Sequence, residues 1–135
     1  MANIRPVTAD FAVAPQLTPA DMAEAAARGF RLVINNRPDG EAPGQPTGAA
    51  MEQAARAAGL DYLALPVRGG PTRAQAEAMQ TAVQAAGGPT LAFCRSGTRS
   101  VTAWALGQAV AGVRPRDELL RLASDAGYDL SAALG

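Results

Sequence analysis

Short apolar runs alternate with longer amphipathic stretches along this chain, and glycine or proline marks nearly every change. Phe11-Ala12-Val13-Ala14 is the first run and predicts a strand. Thr18-Pro19-Ala20-Asp21 supplies a capping residue, a proline at the first helical position and an acid in the first turn. That predicts a helix to about Arg28, stopped by Gly29. Phe30 to Asn35 reads as a buried strand, and Asn36-Arg37-Pro38-Asp39-Gly40 as a turn. Residues 41–48 are loop by their proline and glycine content. A second helix over 49–58 stops at Gly59, and Leu60 to Val67 predicts another strand.

After the loop Arg68-Gly69-Gly70-Pro71, Thr72 and Gln75 have the spacing of a capping box for a third helix to about Ala86. Gly87-Gly88-Pro89 breaks it, and Thr90-Leu91-Ala92-Phe93 is the last apolar run. Val101 to Ala111 reads as a helix, and Arg114-Pro115 opens a final one that places Leu119, Leu122, Ala123 and Ala126 on one face before Gly127. Strands alternating with helices predict an α/β fold in one domain spanning 1–135, its central sheet mostly parallel and flanked by helices. In such sheets ligands bind beyond the carboxyl ends of the strands. The loops at 36–40, 68–71 and 94–100 then share one edge.

The last of these loops carries the chemistry. Cys94, the only cysteine, closes the final apolar run and opens Cys94-Arg95-Ser96-Gly97-Thr98-Arg99-Ser100. A lone cysteine at a strand end is ordinarily a small core residue. Two arginines and a glycine directly after it predict an anion-binding loop between strand and helix instead. Loop amides and a helix N-terminus converge there with partial positive charge. A thiol in such a place ionises in the range of roughly 3.5–7.5 and becomes a nucleophile.

Composition narrows the classes. Twelve basic residues, all arginine, balance twelve acidic ones, so the basic excess of a nucleic-acid binder is missing. No histidine is present, which excludes a Cys-His or Ser-His-Asp pair within the chain and any histidine metal site. No cofactor, metal or membrane partner is expected: no apolar run approaches the ~20 residues of a bilayer span. One cysteine cannot form an internal disulfide, and Met1 to Pro6 lacks the apolar core of a signal peptide. A cytoplasmic location is the expectation.

Four segments carry a family resemblance: Asp10 to Leu17, Val33 to Glu41, Pro43-Gly44-Gln45-Pro46 and Ala92 to Ser100. Together they resemble the phosphatase-like domain of beta-lactamase-hydrolase-like proteins, whose members often carry the label sulfur transferase. The resemblance spans nearly the whole chain and implies a compact dual-specificity-phosphatase-like fold. It also implies that a separate sulfur dioxygenase is a possible partner, since some relatives are fused to one. Two features depart from the phosphatase pattern. Phosphatases place five residues between cysteine and arginine, whereas Cys94 and Arg99 have four between them, as in single-domain rhodaneses. The loop Arg68 to Pro71 lacks the acid that phosphatases use to protonate the leaving group, and Phe93 replaces their histidine.

The leading expectation is therefore a rhodanese-like sulfurtransferase. Cys94 would take sulfane sulfur from thiosulfate or a small persulfide, with Arg99 orienting the anionic donor and Ser100 hydrogen-bonding the thiolate. Arg95, Ser96, Gly97 and Thr98 would hold the anion, with Arg37, Asp39 and Arg68 contributing from neighbouring loops. Against that, Asn36 to Gly40 is also ordinary turn chemistry, and Arg37 could simply pair with a carboxylate. A cysteine phosphatase working through a Cys94 phosphocysteine is the alternative, with Asp39 reaching the site from its own loop as the acid. A non-catalytic anion or persulfide-binding module is the third. Trp104, Tyr62 and Tyr128 read as packing residues.

Overall fold

A computed structural model describes residues 1–135. Its sheet has five strands: β1 (Arg5–Pro6), β2 (Phe11–Ala14), β3 (Leu32–Asn35), β4 (Asp61–Ala64) and β5 (Thr90–Phe93). Their spatial order is β1-β2-β5-β3-β4, with β1 antiparallel to β2 and every other pair parallel. The helices are α1 (Asp21–Ala27), α2 (Gly48–Ala57), α3 (Arg73–Ala85), α4 (Thr98–Val110), α5 (Arg116–Asp125) and α6 (Ser131–Leu134). The α/β fold with a mostly parallel sheet is as the alternation predicts.

The central strands are buried on both faces, which is why they read as unbroken apolar runs rather than alternating ones. Val13, Ile34 and Ala92 face a core shared with Met79 of α3, Trp104 of α4 and Leu119 of α5. Ala12, Val33, Leu91 and Phe93 face a second core with Met22 of α1 and Met51 of α2. Phe11 and Trp104 stack with ring centroids 5.0 Å apart and 7° between planes, so Trp104 is a core residue as expected. Helix α4 is apolar nearly all round because it lies between the sheet and α3, α5 and α6. Its Gly107 permits the closest approach: a Cβ there would meet the Ala76 carbonyl oxygen at 2.5 Å.

Several boundaries differ from the sequence expectation. Thr18 to Ala20 forms a tight turn ahead of α1, in which Asp21 N–H donates to the Thr18 carbonyl and Asp21 Oδ2 accepts from Thr18 N–H. Strand β4 ends at Ala64, before Pro66, yet Leu65 and Val67 still donate to the carbonyls of Asn35 and Asn36. Helix α4 starts three residues earlier than predicted, at Thr98, so Arg99 and Ser100 belong to its first turn. The capping box at Thr72 and Gln75 is present in both directions. Strand β1 and helix α6 had no signal strong enough to predict them. No helix is long and apolar enough to cross a membrane.

Candidate active site

Cys94 follows β5 directly, at the carboxyl edge of the parallel strands. The chain must then reverse into α4 within three residues. Gly97 makes this possible by adopting φ +94° as the N-cap of α4, a conformation a side chain would strain. In that conformation the Gly97 N–H donates to Cys94 Sγ at 3.1 Å. The backbone N–H groups of Arg95, Ser96, Arg99 and Ser100 have no hydrogen-bond partner within the protein. This is the donor surplus expected of a helix start, in the loop that carries Cys94.

The loop is braced from below and from the side. Tyr128 Oη donates to the Ser96 carbonyl at 2.9 Å, and Gln16 N–H donates to the Arg95 carbonyl at 3.2 Å. Arg5 lies over the Tyr128 ring, 5.3 Å from its centroid. Burial raises the Tyr128 phenol above its ordinary value, so it remains a donor at neutral pH. Ser96 Oγ bonds Thr98 Oγ1 at 3.0 Å and accepts weakly from Thr98 N–H.

Arg99 does not stand alone. Its Nη1 donates to Glu41 Oε2 at 2.9 Å and to the Val67 carbonyl at 2.8 Å, while Nη2 donates to Glu41 Oε1 at 2.8 Å. Glu41 Oε1 also accepts from Arg37 Nε at 2.9 Å, and Arg37 Nη1 reaches Gln16 Oε1 at 3.1 Å. The two Arg99 bonds, opposed by partial burial and reinforced by Arg37, hold the Glu41 carboxyl down to about 2. Glu41 is thus a fixed anion and no proton donor. Arg99 is correspondingly raised above its ordinary value, first by Glu41 and then by the nearby Cys94.

Cys94, Arg99, Ser96, Gly97 and Thr98 are therefore brought together, with Arg37 joined to them through Glu41. Other nominated residues lie differently. Ser100 Oγ is fully buried and bonds nothing, so it makes no hydrogen bond to Cys94. Asp39 Oδ1 accepts from Gly48 N–H at 2.7 Å, which commits this carboxylate to the start of α2. Arg68 and Arg95 are exposed and form no ion pair. Cys94 itself is fully buried and lines none of the cavities at the surface. The sequence reading missed Glu41, Gln16 and the bracing role of Tyr128. The one available signal was an acid four residues after Arg37 inside a proline- and glycine-rich loop.

Residues 3–111 match the model of one family, the phosphatase-like domain of beta-lactamase hydrolase-like proteins. The chain belongs to that family. The beta-lactamase hydrolase-like protein of Agrobacterium fabrum is 42% identical over 123 residues, covering 90% of the chain. The chain spans 28% of the length of that relative, so it corresponds to one part of a longer protein. Among solved structures, a candidate phosphatase from Neisseria meningitidis Z2491 superposes with a TM-score of 0.85 at 33% identity. The match covers 97% of the chain and 93% of that structure. P. aeruginosa TpbA in complex with pTyr matches with a TM-score of 0.67 at 15% identity, over 99% of the chain and 75% of that structure. At that identity the likeness is one of fold. The family's phosphatase-like architecture accordingly places Cys94 at the strand-to-helix turn of a PTP-like fold.

Proposed function

We propose that the chain is a cysteine-dependent phosphatase acting on phosphomonoesters through a Cys94 phosphocysteine. The observation that carries this reading is the Gly97 N–H aimed at Cys94 Sγ, within a loop where the amides of Arg95, Ser96, Arg99 and Ser100 are unpaired. The same amides would bind the phosphoryl oxygens as charge builds on them. In the first step the thiolate attacks phosphorus, the S–P bond forms and the ester P–O bond breaks. Water then attacks phosphorus, the S–P bond breaks, and phosphate leaves with the thiolate restored. Arg99 would hold the equatorial oxygens by its free N–H groups.

No carboxyl stands ready to protonate the leaving oxygen: Glu41 is clamped as an anion and Asp39 is engaged at α2. The leaving group must then depart as an anion, which favours aryl esters, whose phenols ionise near 10, over alkyl esters. The same observation favours a second reading, sulfur transfer. There Cys94 attacks the outer sulfur of thiosulfate, the S–S bond breaks, and sulfite departs as a stable anion without an acid. A Cys94 persulfide would then pass its outer sulfur to a nucleophilic acceptor. The four-residue spacing from Cys94 to Arg99 also supports this alternative.

One paired experiment tests both. Wild type and Cys94→Ser are compared for release from an aryl phosphate and for thiocyanate formed from thiosulfate and cyanide. The phosphatase reading expects fast aryl phosphate turnover that Cys94→Ser abolishes. Cys94-dependent thiocyanate with a silent phosphate arm would replace it by sulfur transfer. Silence in both arms would leave an anion-binding module.

A further inference from the structure

We infer that Tyr128 is a positioning residue for the nucleophile, because its hold on the Ser96 carbonyl turns the Gly97 N–H onto Cys94 Sγ. The inference deepens the reading above and takes from it only that Cys94 reacts as a thiolate. Ser96 C=O and Gly97 N–H belong to one peptide unit, which is trans and planar. Its two polar ends therefore point in opposite directions. Tyr128 Oη donates to the oxygen at 2.9 Å, and the N–H at the far end donates to the sulfur at 3.1 Å. One phenol thus fixes the plane that presents a donor to the thiolate. The preceding unit is held in the same manner: Gln16 N–H donates to the Arg95 carbonyl at 3.2 Å, and the unpaired Ser96 N–H faces the other way.

The unit needs such an outside hold because glycine, on one side of it, lowers the cost of turning the plane over. Tyr128 can supply the hold because it is itself fastened at both ends. Its N–H donates to the Ala123 carbonyl at 2.8 Å, and its ring is buried with Arg5 across one face. The charges around the sulfur do not duplicate this role. Arg99 and Tyr128 both lie near enough to Cys94 to respond to its charge, with Glu41 paired to Arg99 and Arg5 set over Tyr128. Arg95, in the loop itself, is exposed. Burial keeps the Tyr128 phenol protonated, so removing its hydroxyl deletes a neutral donor and leaves all of these charges in place. Any change in Cys94 ionisation then reports the freed amide rather than a lost charge.

The test compares wild type, Tyr128→Phe and Tyr62→Phe, with Cys94 as the chain's only thiol. Ultraviolet thiolate absorbance, corrected with Cys94→Ser, is followed against pH and requires no turnover. Tyr62→Phe is the control: it removes the other phenol, which accepts from Asn35 Nδ2 at 3.0 Å instead of bonding the loop. In Tyr128→Phe the midpoint should rise by about one pH unit, as a charge-assisted hydrogen bond to the thiolate is given up. Tyr62→Phe should leave it in place. Iodoacetamide alkylation should show the same displacement, slower below the midpoint and undiminished on the alkaline plateau. A midpoint within about 0.2 pH units of wild type in Tyr128→Phe, or an equal rise in both variants, overturns the inference. Should Tyr128→Phe not fold, Arg5→Gln decides at high salt, where the arginine's charge is screened and only its cover of the ring is lost. A midpoint that does not rise there refutes the hold. A raised midpoint in Tyr128→Phe with no aryl phosphate turnover in wild type would remove the phosphatase reading and leave Tyr128 in its role.

Discussion

Substituting Gly97 by alanine should disrupt the Cys94 loop through Tyr128, a residue 31 positions away in sequence. Two effects add. Alanine at φ +94° is strained by roughly 1–2 kcal/mol. Its Cβ would also lie 2.1 Å from Tyr128 Oη and 2.9 Å from Cζ, so the ring must move. Overpacking of this kind costs about 1–3 kcal/mol. Moving the ring breaks its bond to the Ser96 carbonyl as well, worth about 1 kcal/mol. The total for Gly97→Ala is roughly 3–6 kcal/mol. Tyr128→Phe alone should lose only the hydrogen bond, about 1 kcal/mol. In the double variant the hydrogen bond is lost once rather than twice, and the nearest clashing atom is gone. The double variant should therefore be more stable than the sum of the singles by at least about 1 kcal/mol. Urea unfolding of the four proteins measures the cycle, and the rate of Cys94 alkylation reports whether the Gly97 N–H still faces the sulfur. Additive losses would show that Tyr128 and Gly97 do not act as one unit, and the bracing argument would fall.

Two further outcomes follow from the same contacts. Because the Glu41 carboxyl titrates near 2 when folded and near 4.5 when free, its contribution is fully present above about pH 4.5 and is lost as pH falls toward 2. Solvent screening at a side chain about a quarter exposed reduces that contribution to roughly 1–2 kcal/mol. Wild type should exceed Glu41→Gln in stability by this amount at pH 7, and a gap that stays constant down to pH 2.5 would contradict the assignment. Asp39→Ala should lower stability by about 1 kcal/mol by freeing Gly48 N–H, with turnover unchanged. A tenfold loss of turnover would put Asp39 in the chemistry after all.

Much of the architecture could be read from local signals. Gly29, Gly59 and Gly127 each follow a helix end with positive φ, and Thr72 with Gln75 caps α3 as their spacing implies. The cysteine loop was legible because its ingredients are contiguous: a strand end, a thiol, a glycine and an arginine. What escaped were the contacts between distant segments. Glu41 meets Arg99 across 58 residues, and Tyr128 meets Ser96 across 32. A glutamate among prolines and glycines reads as a solvated loop charge, and a tyrosine after a helix stop reads as packing. Only the folded sheet brings both to the same edge. Asp39 shows the converse: its turn signal and its acid chemistry coincide in sequence, and folding spends the carboxylate on a helix start.

Arg5 lies in the two-residue strand β1 and covers the face of Tyr128, whose hydroxyl in turn holds Ser96. The amino-terminal hem of the molecule is consequently wired to the nucleophile through two side chains. An affinity tag or domain spliced ahead of Arg5 that tugs on this hem would be felt at the sulfur, so activity comparisons between differently fused versions carry a built-in bias.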